Sequence, residues 1–303
     1  MEELLDQLET AIKEKDKEAL ISIIIDKIND SNRMNIIKEY KDTYNRDLFE
    51  DFSKNFKSEF LELILGAFKT PLEYDTDLLY KALDKFNSDK DIISEIICFR
   101  SQKQIDKIKE KYQEKYGKDL IEDLKKKTSG DYQKIILNLL NFNRNKNTTP
   151  HLEQCKTIAE ELYKAGEGKI GTNEEVFINY FTILSKEELL AVCKAYHRKY
   201  SRTMLNVLHN EFSGNEKKLL ESILYSIFSP SEYFAREIMD SIKGIGTNDA
   251  KLIRCVLTRY NYDMKRIKKY FKKIYQKNLL DEIKDEVTGS YGKLLEELIN
   301  KSD

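Results

Sequence analysis

Two stretches of this 303-residue chain combine residue types and spacing that suit a hard cation: "GEGKIGTNE", Gly166 to Glu174, and "IKGIGTND", Ile242 to Asp249. The whole chain holds only 11 glycines and 3 prolines, so two near-copies of a glycine-rich segment need a physical reason. Glycine reaches positive φ at little cost, which lets nearby carbonyl oxygens turn toward a common point. Such carbonyls are hard ligands of the kind Ca²⁺ gathers, about six to eight at a time. They carry no net charge, so a carboxylate has to come from elsewhere, and both copies have one at the same distance. Forty residues beyond Gly171 lies Glu211, in "NEFSG", and forty beyond Gly246 lies Glu286, in "DEVTG". Three carbonyls and a bidentate glutamate supply about five oxygens, leaving room for water or for a phosphoryl oxygen of a lipid headgroup. With one carboxylate per site, affinity in the absence of lipid is expected to be roughly 10⁻⁴ M or weaker.

The elements that must hold these loops are helices. Charged residues make up 35% of the chain, and scarce Gly and Pro with abundant Lys, Glu, Leu and Ile define an all-α protein. The segment Arg46 to Phe52, "RDLFEDF", returns at Lys118 to Leu124 after 72 residues, at Arg202 to Leu208 after 84 more, and at Lys277 to Ile283 after a further 75. The same offsets align "KSEFLELIL" from Lys57, "SGDYQKIIL" from Ser129, "SGNEKKLLE" from Ser213 and "TGSYGKLLE" from Thr288. Two blocks in one register divide the chain into four repeats, bounded at 1–68, 69–142, 150–228 and 229–303. The polar run Asn141 to Thr149 explains the longer middle interval, with 143–149 as the linker.

Helix starts can be counted inside the fourth repeat. Ser229-Pro230-Ser231-Glu232 reads as an N-cap, a proline at the first helical position and a capping-box glutamate. Ile238 and Ile242 follow at helical spacing. Thr247 is placed to cap a second helix with Leu252, Ile253, Val256 and Leu257. A third carries Ile267, Phe271 and Ile274, a fourth Leu279, Ile283 and Val287, and a fifth Leu294, Leu295 and Leu298. Further capping boxes are read at Thr70 to Glu73, Thr172 to Glu175, Ser185 to Glu188 and Ser213 to Glu216. The glycine loops therefore join the first and second helices, and each distant glutamate falls at the turn before the fifth.

Several function classes are disfavoured. A net charge of −1 argues against a constitutive nucleic-acid binder. Cys98, Cys155, Cys193 and Cys255 fit no metal-ligand spacing and read as small buried apolar residues. The start "MEELLDQLETAIKEK" is neither a secretory nor a transit signal, and no apolar run reaches the ~20 residues of a membrane span, so a cytosolic chain with reduced thiols is expected and the sequon Asn147-Thr148-Thr149 carries little meaning. Asp84 to Glu95 has an acid at each end like an EF-hand, but Phe86 and Asp89 occupy its third and sixth positions, where that loop needs a ligand and a glycine. The basic segment from Lys265, "KRIKKYFKKIYQK", reads as a helix whose lysines could add attraction to an anionic bilayer. His151, His197 and His209 form no local cluster, and neither a Walker loop nor a dinucleotide fingerprint is present, so no enzyme activity is expected.

A four-fold repeat of five helices, a long linker after the second, the "KGxGT" loop and an acidic residue forty positions on resemble the annexins, over essentially the whole chain. The Lys- and Asn-rich first half resembles the divergent protist branch that includes the alpha-giardins. The resemblance implies a curved, right-handed superhelical disc with calcium loops on its convex face and reversible Ca²⁺-dependent binding to acidic phospholipid. It also implies the ligands: carbonyls of Gly166, Lys169 and Gly171 with the Glu211 carboxylate, and carbonyls of Ile242, Gly244 and Gly246 with Glu286. Ile170 and Ile245 are then the loop tips that contact membrane, each contributing ~1–2 kcal/mol if largely buried.

The first two repeats depart from that pattern. "AIKEKDKEAL" and "ALDKFNSDKDII" stand where their loops belong and contain no glycine; their acid positions are Asn55 and Lys127, so no site of this type is expected in either. Thr128 to Tyr132 is a weaker candidate for a minor site. Asn173 and Asn248 stand where the family usually has Asp, and are not expected ligands. The chain begins almost at once with its first helix, so regulation through an N-terminal tail is not expected, and a monomer in solution that assembles on a membrane fits best. The alternative to a calcium-switched peripheral protein is a helical scaffold that holds a cytoskeletal partner without calcium.

Overall fold

The computed structural model describes residues 1–141, 144–146, 148–244 and 246–301, and its regular elements are helices throughout. The first set comprises α1 (Glu2–Lys13), α2 (Lys17–Ser22), which runs into one π-helical turn (Ile23–Lys27), α3 (Arg33–Tyr44), α4 (Leu48–Asn55) and α5 (Ser58–Ala67). The second comprises α6 (Pro71–Asp84), α7 (Lys90–Phe99), α8 (Gln102–Tyr116), α9 (Leu120–Lys127) and α10 (Gly130–Leu140). The third comprises α11 (Leu152–Ala165), α12 (Glu174–Ile183), α13 (Lys186–Tyr200), α14 (Met204–Glu211) and α15 (Gly214–Phe228). The fourth comprises α16 (Pro230–Ile242), α17 (Asp249–Arg259), α18 (Met264–Tyr275), α19 (Leu279–Glu286) and α20 (Gly289–Asn300).

The repeat register is written into the backbone. The third helix of every set stops at a left-handed residue: Asn45, Gly117, Ser201 and Gln276, with φ of 51°, 64°, 56° and 57°. A second such residue opens every fifth helix: Ser58, Gly130, Gly214 and Gly289, with φ of 57°, 63°, 59° and 67°. Left-handed backbone reverses the chain tightly between antiparallel helices. The fourth helix between these two points is short, and its last residue is Asn55, Lys127, Glu211 or Glu286 in turn.

The capping boxes at Thr70 and Ser185 form as read. Four other N-terminal readings are corrected. Asn248, not Thr247, caps α17, its side chain accepting from the Lys251 N–H at 3.1 Å. Ser213 makes no side-chain cap, and the buried Ser229 hydroxyl has no hydrogen-bond partner among the described residues. Thr172 caps nothing, because its hydroxyl is used elsewhere, as described below. Within the fourth set Ile238, Leu252, Val256, Ile267, Phe271 and Ile283 are fully buried, whereas Leu257 and Ile274 are half-buried at the edge of their helical stripes.

Two compact units emerge, one of Met1–Tyr74 with Ser231–Asp303, the other of Asp75–Pro230. The first set thus packs with the fourth, from the far end of the chain: α5 lies on α17, α20 on α2, and Arg33 donates to the Lys69 carbonyl at 2.6 Å and to the Tyr260 hydroxyl at 3.1 Å. In the other unit α7 packs on α15 and α12 on α10. Two ion pairs at equivalent positions, Asp91 with Lys218 and Glu175 with Lys134, join the start of each second helix to the fifth helix of the other set. Of the segment read as a linker, 142, 143 and 147 lie outside the described residues. Its described part is tied down: Arg144 donates to the Leu184 carbonyl at 2.7 Å and the Asn145 N–H to that of Ile183 at 2.6 Å, satisfying the end of α12.

Candidate calcium site

All four repeats close their first interhelical loop with the same backbone bond, from the N–H of the second helix's N-cap to a carbonyl near the end of the first helix. The pairs are Asp16 to Ala11 and Asp89 to Ala82, both 2.9 Å, and Asn173 to Ala165 and Asn248 to Ser241, both 2.7 Å. The enclosed residues are 12–15, 83–88, 166–172 and 242–247. The shortest loop is in the first repeat, where α2 starts at once after Asp16 and the turn is made by Lys15 at φ 56°. It has no room for the extra turn the third and fourth loops contain.

The third loop and its distant glutamate are brought together. A Cβ on Gly166 would lie 3.3 Å from both Cγ and Cδ of Glu211 and 3.2 Å from the Phe177 ring, so the carboxylate packs closely against the backbone here and a larger residue would crowd it. The Thr172 hydroxyl donates to Glu211 Oε2 at 2.5 Å, holding the carboxylate against the loop's other end. The carbonyls of Lys169 and Gly171 accept no hydrogen bond among the described residues, while that of Gly166 accepts from the Lys169 N–H at 3.0 Å. Gly171 sits at φ 77°, and Ile170 beside it is fully exposed. The loop is braced from beneath by Glu167, which accepts from the buried Tyr196 hydroxyl at 2.8 Å and lies 3.8 Å from the Arg202 guanidinium. Burial and this acceptor together push the Tyr196 hydroxyl well above the ordinary tyrosine range.

The fourth loop has the same closure with less bracing. Gly244 and Gly246 take φ of 110° and 82°. Ile242 is buried, and Ile245, the expected second tip, lies outside the described residues. Glu286 is exposed and takes part in no hydrogen bond or ion pair among the described residues; Thr247, the counterpart of Thr172, does not reach it. Phe271 stands where Tyr196 stands in the third repeat, so the equivalent phenolic anchor is missing as well.

Thr172, Glu167 and Tyr196 are absent from the sequence-derived site. A weak signal for the tyrosine existed: Tyr40, Tyr112 and Tyr196 share one register position, and all three are fully buried. In the first two repeats the phenol donates to Asp51 and Asp123 on the fourth helix, at 3.0 and 2.9 Å. In the third, Val207 takes that position and the phenol turns to the loop instead. No group of three or more acidic, His or Cys side chains suited to a metal occurs among the described residues. The expected site draws instead on carbonyl oxygens plus one carboxylate, a donor set of the kind that suits Ca²⁺. The minor candidate at Thr128 to Tyr132 spends its groups internally, the Thr128 hydroxyl on the Leu124 carbonyl and the Tyr132 hydroxyl against Lys90 and Ser94.

An all-helical chain of four five-helix sets, each closing its first interhelical loop with the same backbone bond, defines an α-helical repeat protein. The chain belongs to the annexin family, a family known for calcium-dependent phospholipid binding: the annexin family model matches residues 74–139, 158–223 and 233–298. The first repeat is outside these matches. The chain is 32% identical over 280 residues to human Annexin A7, covering 92% of this chain and 57% of that protein, so it spans just over half of that relative's length. It is 33% identical over 285 residues to mouse Annexin A13, covering 94% of this chain and 90% of the relative. The structure of chicken annexin V in complex with Zn²⁺ superposes with a TM-score of 0.91 at 28% identity, over 98% of this chain and 95% of that one. Calcium-bound alpha-14 giardin shares the fold, with a TM-score of 0.84 at 18% identity over 97% of both chains.

Proposed function

We propose that this protein binds acidic phospholipid membranes peripherally, with Ca²⁺ held by the third and fourth repeats and bridged to lipid headgroups. The observation that carries the reading is the Glu211 carboxylate lodged against Gly166 and tied to Thr172, in a loop whose Lys169 and Gly171 carbonyls accept no hydrogen bond among the described residues. Bound there, Ca²⁺ supplies positive charge and open coordination positions at an otherwise neutral loop. The chain's own part is to hold the oxygens, expose Ile170 to the bilayer, and keep the Glu211 carboxylate in place. In the fourth repeat the corresponding ligands are the carbonyls of Ile242, Gly244 and Gly246 with Glu286. The role is binding rather than catalysis, at the cytosolic face of membranes. No helix among the described residues is long and apolar enough to cross one, which agrees with attachment by loops.

Co-sedimentation with phosphatidylserine vesicles across a calcium titration tests this, with Glu211→Gln, Glu286→Gln and the double variant beside the unaltered chain. Calcium-dependent binding that the double variant abolishes is the expected result. Binding that survives both substitutions and chelator sinks the reading and favours a scaffold that holds a cytoskeletal partner without calcium.

A further inference from the structure

The second repeat has no glycine in its first interhelical loop and a lysine at the end of its fourth helix, yet it shares the closing frame of the third and fourth repeats. Its loop, 83–88, has the same length as 242–247 and the same closing bond, Asp89 N–H to the Ala82 carbonyl. The Ser88 hydroxyl donates to the Lys127 carbonyl at 2.9 Å, as Thr172 reaches Glu211 in the third repeat. Two things have changed. The tip residue is Phe86, with its side chain fully in solvent at 102% relative exposure, the most costly apolar group on this surface to leave wet. The residue ending the fourth helix is Lys127, exposed, its ammonium group in no ion pair among the described residues. Lys126 beside it is equally exposed and unpaired. Several surrounding charges cancel: Lys85 pairs with Asp89 at 3.0 Å, Lys218 with Asp91 at 3.0 Å and Lys125 with Glu122 at 2.9 Å, with Asp84 at the base of the loop and Lys90 over the Tyr132 ring.

This loop lies at the same end of its unit as the third. Asp91, two residues into the chain after the N-cap Asp89, pairs with Lys218, in the second turn of the helix that follows Glu211. The reciprocal pair, Glu175 with Lys134, sets the start of α12, just past the third loop, beside the helix that follows Lys127. Resting on the lipid-binding reading above, we infer that the second loop is a metal-free contact for an anionic phospholipid bilayer. Phe86 enters the headgroup region, and the Lys127 ammonium meets the lipid phosphate that a bound cation meets in the third repeat. A free phosphate would engage the lysine alone; the exposed phenyl ring beside it selects a bilayer.

The chain contains no tryptophan, so Phe86→Trp in the full-length protein gives a single fluorescent reporter, and Ile170→Trp in a separate variant gives another. With calcium and phosphatidylserine–phosphatidylcholine vesicles, both emissions are expected to shift to the blue and to be quenched by bromine-labelled acyl chains. Vesicle affinity is expected to fall about tenfold for Phe86→Ala, the order expected for withdrawing one phenyl ring, and several-fold for Lys127→Gln, with a shallower salt dependence. Both side chains are exposed, so these changes leave the fold intact. A reporter at 86 that stays in water while that at 170 inserts overturns this inference and leaves the lipid reading standing. Failure of both reporters to insert overturns both. Insertion at 86 with unchanged affinity and salt dependence in Lys127→Gln overturns the role of the lysine.

Discussion

The Tyr196 hydroxyl, fully buried on α13, donates to Glu167 in the third glycine loop at 2.8 Å, anchoring a surface loop to the core of its repeat. A hydrogen bond to a charged acceptor contributes about 1.5–3 kcal/mol, and here it is spent on loop geometry as much as on stability. Tyr196→Phe in a Glu286→Gln background, where only the third site reads out, is expected to raise the calcium concentration for half-maximal vesicle binding about tenfold. The calcium titration of that pair checks it. An unchanged midpoint would mean the loop holds its shape without the anchor.

The two sites should respond unequally to loss of their threonine hydroxyls. Thr172→Val removes the donor to Glu211 Oε2, so its site is expected to weaken about three- to tenfold in calcium affinity. Thr247→Val removes no bond to Glu286 and should change little. Calcium binding by each variant, measured by calorimetry with vesicles present, decides between unequal and equal effects.

Gly166→Ala and Gly246→Ala should fail for different reasons. At 166 the new methyl meets Glu211 and Phe177 at 3.2–3.3 Å and pushes the carboxylate by a few tenths of an ångström, so calcium-dependent binding through the third repeat should weaken. At 246 nothing lies within 4 Å, and the cost is the left-handed backbone at φ 82°, about 1–2 kcal/mol of strain. Thermal melts beside calcium titrations separate them, the first variant losing mainly binding and the second mainly stability of the loop.

Burial, with a carboxylate acceptor for each, pushes the hydroxyls of Tyr40, Tyr112 and Tyr196 well above the free tyrosine value of about 10. Below pH ~10 the phenols are protonated folded and unfolded alike, and their contribution is whole. Above it the unfolded chain ionises first, so stability should fall with rising pH, by up to about 1.4 kcal/mol per pH unit for each tyrosine. Urea unfolding between pH 8 and 11 is the measurement, and Tyr112→Phe should flatten the slope.

Much of this protein was legible in its sequence because the relevant signals are local. Helical periodicity and the caps at Thr70 and Ser185 each depend on a few neighbouring residues. The forty-residue spacing from glycine loop to glutamate was readable because two copies repeated it. One helix start went astray because its side chain had a distant use: Thr172 reads locally as a cap, yet Glu211 claims its hydroxyl.

Only the tertiary structure decided which repeats pair and how each loop is braced. Four similar amphipathic modules present similar apolar faces, so nothing local says that the first packs with the fourth, with Arg33 reaching Tyr260 across more than two hundred residues of chain. Likewise a buried tyrosine needs an acceptor, but whether that is Asp123 on a helix or Glu167 in a loop depends on which group lies within reach once the helices have packed. Sequence determines what must be satisfied within a turn of chain; packing chooses the partner beyond it.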